Sequence, residues 1–272
     1  MTDSDPILTP PELARLYSPR GYADGWEQVE QYLLVVEWSE LNPKESWYAA
    51  AKALDLPESR VQRWYNGNKP RVVKQVEIAD ARGWIDATWE STIGRAFNLL
   101  VAATLSSGTL SEKFEHRITL DDDLDEATAQ SLHEALTVLV GSTKILDEDD
   151  PQRATVLKAG EHGPLLGRAL HVIGVPTIRK TDPAFTFPAY LSSAPAHLRR
   201  EFVEMYVLLR GSGVERGSID IREERPDDYL HALATLIEDV TGGTTTVRTH
   251  GIFLRKSAVD GLAGTVAWDD EP

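Results

Sequence analysis

The sequence contains no cysteine and no long hydrophobic run. Its 272 residues include 0 cysteines, which excludes disulfide bonds, thiolate metal sites and thiol catalysis. No apolar run reaches the ~18 residues that a membrane-spanning helix needs. The first residues, MTDSDPILTPPEL, carry neither the basic nor the apolar segment of a signal peptide. These absences predict a soluble, cytoplasmic protein with no membrane partner.

Basic residues are also scarce, and lysine is scarcer than arginine. There are 28 Lys and Arg residues against 43 Asp and Glu residues, a formal net charge of -15. Taken alone, this acidity argues against nucleic-acid binding, because phosphate is negative too. An acidic, arginine-rich composition is also typical of proteins that stay soluble in molar salt, and it favours a halophilic, archaeal source. In that setting, local basic patches indicate partners better than the net charge does.

The remaining composition, 42% hydrophobic and 26% charged, is that of a chain with a packed core. The length is sufficient for two domains. We predict the α+β class, with a helical domain over residues 1–88, a duplicated domain over 89–265 and an acidic tail over 266–272.

The first segment shows the pattern of a helix-turn-helix. One helix is predicted over WEQVEQYLLVVEW, and its inward face at helical spacing is Trp26, Val29, Leu33 and Val36. An alanine-rich helix follows over residues 45–54, then a three-residue turn and a second helix over 58–65. Two helices joined in this way place the second one in the major groove of DNA.

Residues 58–74 reverse the charge of the chain locally. They include five basic residues and one acidic residue. An ordinary helical hairpin with a solvated basic face would have the same helix spacing, but the charge inversion favours DNA reading. The residues predicted to bind DNA in this segment are Ser59, Arg60, Gln62, Arg63, Asn66, Lys69, Arg71 and Lys74.

From about residue 90, two successive halves show the same order of helix, glycine turn, strand, acidic loop, helix and strand. Gly108 and Gly213 mark the same place in the two halves, about 105 residues apart. An internal duplication explains this order. Chance similarity of two mixed units is the alternative.

These halves resemble the LAGLIDADG homing-endonuclease family. LVAATLSSGTL and MYVLLRGSGVE are similar to its two motif helices, and LGRALHVIGVPTIRKTDPAFTFPAYLSSAPAHLRREF is similar to the connection before the second motif. The segment GSIDIREERPDDYLHALATLIEDVTGG resembles the strand and helix that follow it. Over residues 93–256, the resemblance implies an αββαββ-type repeat with pseudo-two-fold symmetry, in which the final acid of each motif helix holds a divalent metal over DNA.

The sequence departs from the family at those two acids. Counting back from Gly108 and Gly213, the acid positions are occupied by Ser107 and Ser212. A neutral hydroxyl is a poor ligand for Mg²⁺, and without the acids nothing holds the ions of an in-line phosphodiester displacement. Glu112 and Glu215 are surface acids rather than displaced ligands in our interpretation. We therefore expect no nuclease activity, no metal and no cofactor.

The resemblance further implies that strands form a saddle over the major groove and contact phosphates. The candidate residues on these strands are Lys113, His116, Arg117, Arg216, Arg222, Arg248, His250 and Arg255. Alternation in VRTHGIF predicts that Arg248 and His250 share a face. The alternative is that these are unrelated solvent-side residues.

The sequence thus predicts a transcriptional regulator that binds specific double-stranded DNA, as a monomer or a homodimer. A second hypothesis is an active or residually active homing endonuclease or maturase. A third is a protein-interaction module in which the duplicated domain dimerises or binds a ligand.

Overall fold

A computed structural model describes residues 6–147, 150, 153–214 and 217–262. The chain divides into two units between Asp86 and Ala87. We call residues 8–86 the helical unit, and residues 6–7 with the chain from Ala87 onward the duplicated unit. The described residues combine helices with two antiparallel sheets, which confirms the predicted α+β class. The predicted tail over 266–272 lies outside the described residues. No helix among the described residues is long and apolar enough to cross a bilayer.

The helical unit is built from short, capped helices. Asp24 and Ser46 begin α2 and α3, because their side chains accept hydrogen bonds from the backbone N–H groups of Glu27 and Ala49. The helices of this unit are α1 Pro10–Arg15, α2 Gly25–Leu41, α3 Trp47–Ala53, α4 Glu58–Tyr65 and α5 Arg71–Ala81.

A short turn joins α3 to α4. Asp55 adopts a left-handed conformation, with φ of 52°, which aspartate tolerates better than most residues. Pro57 then precedes α4. The small side chains of Ala50 and Ala51 are buried with Val61 of α4 in the core of the unit.

The buried face of α2 agrees with the prediction at Trp26, Val29 and Val36, which lie in or against the core of the unit, and differs at Leu33. Val29, Tyr32 and Val35 are buried, whereas Leu33, predicted to face inward, is 50% exposed. Tyr32 makes an edge-on contact with the Trp64 ring, with centroids 5.9 Å apart. Because this aromatic pair takes the inward position, the helix is rotated so that Leu33 faces away from the core.

The duplicated unit contains two repeats with one order of elements: helix, two strands, helix, two strands, helix. The elements of the first repeat are α6 Thr92–Ser106, β1 Gly108–Leu110, β2 His116–Leu120, α7 Glu126–Val140, β3 Thr143–Leu146, β4 Thr155–Ala159 and α8 Gly163–Ile173. After a 3₁₀ helix at Ala189–Ser192, the elements of the second repeat are α9 Ala196–Arg210, β5 Gly211–Val214, β6 Ser218–Arg222, α10 Asp227–Thr241, β7 Thr245–Arg248, β8 Gly251–Leu254 and α11 Lys256–Leu262.

Each repeat forms an antiparallel four-stranded sheet, with the orders β1-β2-β4-β3 and β5-β6-β8-β7. The predicted glycine turns are therefore strands. Gly108 and Gly211 begin β1 and β5, and a Cβ on either would lie within 2.7 Å of another atom. Glycine allows each strand to begin close beside the backbone of the preceding helix.

α6 and α9 pack against each other. The buried Asn98 side chain joins them, because its Nδ2 donates to the Leu198 carbonyl at 2.9 Å and its Oδ1 accepts from the Tyr190 hydroxyl at 2.8 Å. The ends of both helices therefore lie in one unit together with both sheets.

Candidate nucleic-acid interface

The exposed side of α4 presents four polar side chains on one face. Ser59, Gln62, Arg63 and Asn66 are exposed and follow the spacing i, i+3, i+4, i+7, which brings them to one side of a helix. Val61 and Trp64 of the same helix are buried. Hydroxyl, amide and guanidinium groups are those that hydrogen-bond to base edges.

Arg60 does not belong to this face, although it was predicted to bind DNA. Its guanidinium donates to the Gln31 side chain at 2.5 Å and to the Gly21 carbonyl at 3.1 Å. It also lies over the Tyr22 ring, 4.0 Å from the centroid. The side chain therefore ties α4 to α2 and to the segment before it.

The other predicted cations of the helical unit fall into two groups. Lys69 forms an ion pair with Glu77 at 2.5 Å, and this hydrogen bond raises the pKa of Lys69. Arg63, Arg71 and Lys74 are exposed, and within the part of the chain that the structure describes their side chains make no hydrogen bond or ion pair. Their charges remain available to a ligand.

The strand register shows that Ser107 and Ser212, which were predicted to be equivalent, do not occupy equivalent positions. In the strand register, Gly108 pairs with Ile118 and Gly211 pairs with Ile221, so these two glycines are equivalent. The counterpart of Ser107 is therefore Arg210 and not Ser212. Ser212 lies in β5 opposite Asp220, at the position that Thr109 holds in β1.

Ser107 and Arg210 also differ in environment. Ser107 is the residue after α6, and its hydroxyl is buried with no hydrogen-bond partner in the described chain. Arg210 is the last residue of α9 and is exposed. One position therefore holds a neutral hydroxyl and the other a permanent positive charge.

Two cationic side chains, which are largely shielded from solvent, cap the C-terminal end of α6. Lys180 donates to the carbonyls of Leu105 and Ser106, both at 2.9 Å, and Arg225 donates to the Leu105 carbonyl at 2.7 Å. Cations are favourable at this end of a helix because of the macrodipole. Burial and then the neighbouring Arg225 lower the pKa of Lys180 to about 7.

Glu223 balances Arg225 inside the unit. Its Oε2 lies 2.9 Å from the Arg225 guanidinium, and the two side chains are 0% and 5% exposed. This contact is an ion pair without hydrogen-bond geometry. The Tyr206 hydroxyl donates to Oε1 at 2.7 Å and lies 3.2 Å from the Tyr229 hydroxyl. Because Tyr206 lies on α9 and Leu105 on α6, this network connects the two repeats.

The outward face of the second sheet carries a cluster that is largely neutralised. Arg222 and Arg248 both contact Asp220, at 2.9 Å and 3.4 Å, and Arg248 also lies over the Phe253 ring. An open depression of about 620 Å³ is lined by these charges together with Arg210 and His250.

Three further candidates are not placed on strands as predicted. His250 lies in the two-residue turn between β7 and β8, so the turn interrupts the alternation that was to put it beside Arg248. Lys113 lies in the turn between β1 and β2, and Arg255 follows β8. All three are exposed, whereas Arg216 lies outside the described residues.

His116 is the candidate that the structure most clearly excludes from a surface role. It is on β2 but points inward and is 4% exposed. Its Nε2 lies 2.8 Å from the Thr104 hydroxyl, and burial lowers its pKa to about 4. In FEHRITL, His116 and Ile118 share the core face, and Arg117 points outward.

The sequence prediction missed Lys144 and Lys158. They lie directly opposite each other on β3 and β4, and like Arg117 they point away from the buried Ile118 and Leu157. Alternation in RATVLKA could have identified Lys158, because Leu157 and Ala159 alternate with it. Lys144 gave no such signal, because β3 is only four residues long.

Within the described residues, no three His, Cys, Asp or Glu side chains are grouped as metal ligands. Comparison with protein-family models gives no match, and comparison with curated proteins gives none either.

Proposed function

We propose that this protein is a sequence-specific DNA-binding transcriptional regulator. In this proposal α3 and α4 are a helix-turn-helix, and α4 reads base edges in the major groove. The observation that carries the proposal is the exposed face formed by Ser59, Gln62, Arg63 and Asn66, together with the exposed charges of Arg71 and Lys74 on α5. Base-reading groups would specify the sequence and the flanking cations would contact phosphate.

We further propose that the duplicated unit is a LAGLIDADG-like domain without nuclease activity. The shared element order, the two matching sheets and the packing of α6 on α9 support this. The residues before the equivalent glycines do not fit a divalent metal, because Ser107 offers a neutral hydroxyl and Arg210 a cation. A supercoiled plasmid should therefore remain un-nicked in the presence of Mg²⁺ or Mn²⁺, and nicking would instead support the endonuclease hypothesis.

The reading helix can be tested by replacing Arg63 with alanine. A bidentate contact of arginine with a base contributes about 1–3 kcal/mol of discrimination. The variant should therefore lose roughly 5- to 150-fold in the ratio of specific to random affinity. The measurement is a pair of binding isotherms, one with a duplex selected from a random library and one with a random-sequence duplex.

Arg20→Ala is the matched control, because Arg20 is an exposed arginine of the same unit that lies outside α4. It should leave the affinity ratio unchanged. If Arg63→Ala lowers both affinities in equal proportion, Arg63 contacts phosphate and does not read bases.

The cluster around Asp220 gives a second prediction. Asp220→Asn removes the carboxylate that neutralises Arg222 and Arg248, and it should tighten binding to any duplex. The slope of log affinity against log salt should steepen by up to about 2, since each phosphate contact adds about 0.9. Asp228→Asn, an exposed acid on α10, removes the same charge elsewhere. Equal effects of the two variants would show that only net charge matters.

A further inference from the structure

The first sheet carries three cations in one row across its strands. Arg117 is on β2, Lys158 on β4 and Lys144 on β3. Lys144 pairs with Lys158, and the register of Ile118 with Leu157 places Arg117 next to Lys158. Neighbouring strands are about 4.8 Å apart. We call Arg117, Lys158 and Lys144 the cationic row.

The charge of the cationic row is not neutralised by the residues that the structure describes. Lys144 and Lys158 make no ion pair with any residue that the structure describes. Among the ion pairs of the described residues, the Arg117 guanidinium has one with Glu115, at 3.4 Å, and both side chains are more than half exposed, so this pair contributes little. The other outward positions of the described strands in this sheet are Thr109, Thr119, Leu146 and Val156, and they carry no carboxylate.

Like charges directly opposite each other on neighbouring strands destabilise a sheet. In a chain with 43 acidic residues, an aspartate or glutamate partner for Lys144 or Lys158 would be easy to supply. An unrelieved pair of lysines is therefore costly for folding alone, and a polyanion lying across the sheet would relieve it.

The second sheet has no such row. By strand register, the residues equivalent to Thr109, Arg117, Lys158 and Lys144 are Ser212, Asp220, Phe253 and Thr246. The equivalent row thus holds one acid and no cation. The nearby Arg222 and Arg248 are both engaged by Asp220.

We propose that the cationic row binds the phosphate backbone of duplex DNA, and that the first repeat supplies most of the DNA affinity of the duplicated unit. This inference deepens the proposed function and rests on it for the choice of DNA as the ligand. The duplicated unit then binds DNA asymmetrically despite its symmetric fold.

The test uses the full chain and two matched double variants. Lys144→Gln with Lys158→Gln removes two charges from the first sheet, and Arg222→Gln with Arg248→Gln removes two from the second. Affinity for a random-sequence duplex is measured over a KCl series in which the circular dichroism of each protein is constant. The first variant should reduce the salt slope by about 2 and the second by less than 1.

Two further readouts separate a binding role from a folding defect. Without the opposed lysines the urea midpoint should stay the same or rise, while affinity falls. Specific and random duplexes should lose affinity equally, because phosphate contacts carry no sequence information. Equal slope changes in the two double variants, or no change in the first, would overturn the proposal. A larger loss for single-stranded RNA than for duplex DNA would assign the row to RNA and also overturn it.

Comparing the lysine variant with Arg63→Ala separates failure of the cationic row from failure of the reading helix. If Arg63→Ala leaves discrimination intact while the lysine variant still flattens the salt slope, the proposed role of α4 is wrong and the cationic row stands. If Arg63→Ala loses discrimination while the lysine variant keeps the parent salt slope, the role of α4 is supported and the proposed role of the cationic row is wrong.

Discussion

Glu223→Ala is expected to lower the free energy of unfolding by about 3–5 kcal/mol, the usual cost of breaking a buried ion pair from one side. Arg225 is 5% exposed, and a guanidinium cannot shed its proton when it loses its partner. The variant therefore keeps a buried, uncompensated charge. Urea unfolding at pH 7 and constant salt, followed by tryptophan fluorescence, measures the difference.

Two controls show whether the charge or the site is responsible. Glu224→Ala, at an exposed neighbour, should change stability by no more than about 0.5 kcal/mol. The double variant Glu223→Leu with Arg225→Leu should recover most of the loss, because apolar replacement of both partners is often tolerated. The partners left behind keep other bonds, since Lys180 still donates to the Leu105 carbonyl and Tyr206 still meets Tyr229. A double variant as unstable as the single one would contradict the charge argument.

This network fixes the end of α6 to the second repeat. Arg225 and Lys180 hold the Leu105 carbonyl, and Gly108 begins β1 three residues later. Under the proposed function, the register between the two sheets sets where their charges meet DNA. If the end of α6 is no longer held by Arg225 and Lys180, the two sheets can shift relative to each other, and the affinity for DNA should therefore fall.

Local patterns were sufficient to predict most helices and the α3–α4 pair. Alanine residues such as Ala50, the apolar Val61 and Trp64, and the break at Pro57 act within a few residues of each other, so the sequence reveals them directly. On α2 the prediction was wrong at Leu33, because the contact of Tyr32 with Trp64 is tertiary and helical spacing does not reveal it.

The details of the candidate site depend on contacts between distant segments. The second repeat has two glycines, Gly211 and Gly213, and only pairing with Ile221 identifies the first as the counterpart of Gly108. α6 also has Ser107 between helix and strand, whereas α9 passes directly into β5. Counting along the chain could not detect this one-residue difference.

The cationic row could not be predicted without the sheet topology, since three strands from different parts of the first repeat contribute one residue each. Only the order β1-β2-β4-β3 brings Arg117 beside Lys158. Similarly, the withdrawal of Arg60 toward Gln31 joins residues 29 positions apart. Composition predicted a basic patch at α4, but tertiary pairing decides which of its charges are free.

The acid stability of the duplicated unit should depend on His116. Burial lowers its pKa from 6.5 to about 4 in the folded protein, so between these pH values the unfolded chain binds a proton that the folded protein does not. Stability is unaffected above pH 6.5 and is lost as the pH falls through this window. A shift of that size corresponds to about 3 kcal/mol by pH 4, at 1.36 kcal/mol per pKa unit.

His116→Leu should remove this part of the pH dependence, because leucine has a similar volume and no proton to bind. Thr104 keeps a bond from its hydroxyl to the Leu100 carbonyl, so the change leaves its donor satisfied. Urea unfolding from pH 7 to pH 4 at constant salt should show the parent and the variant diverging as the pH falls. The difference between them isolates His116 from the many carboxylates, and His231→Leu at an exposed position should follow the parent. Parallel curves for His116→Leu and the parent would show that the buried imidazole does not control acid unfolding. The expected divergence would show that the stability of the duplicated unit depends on the protonation of His116 on β2.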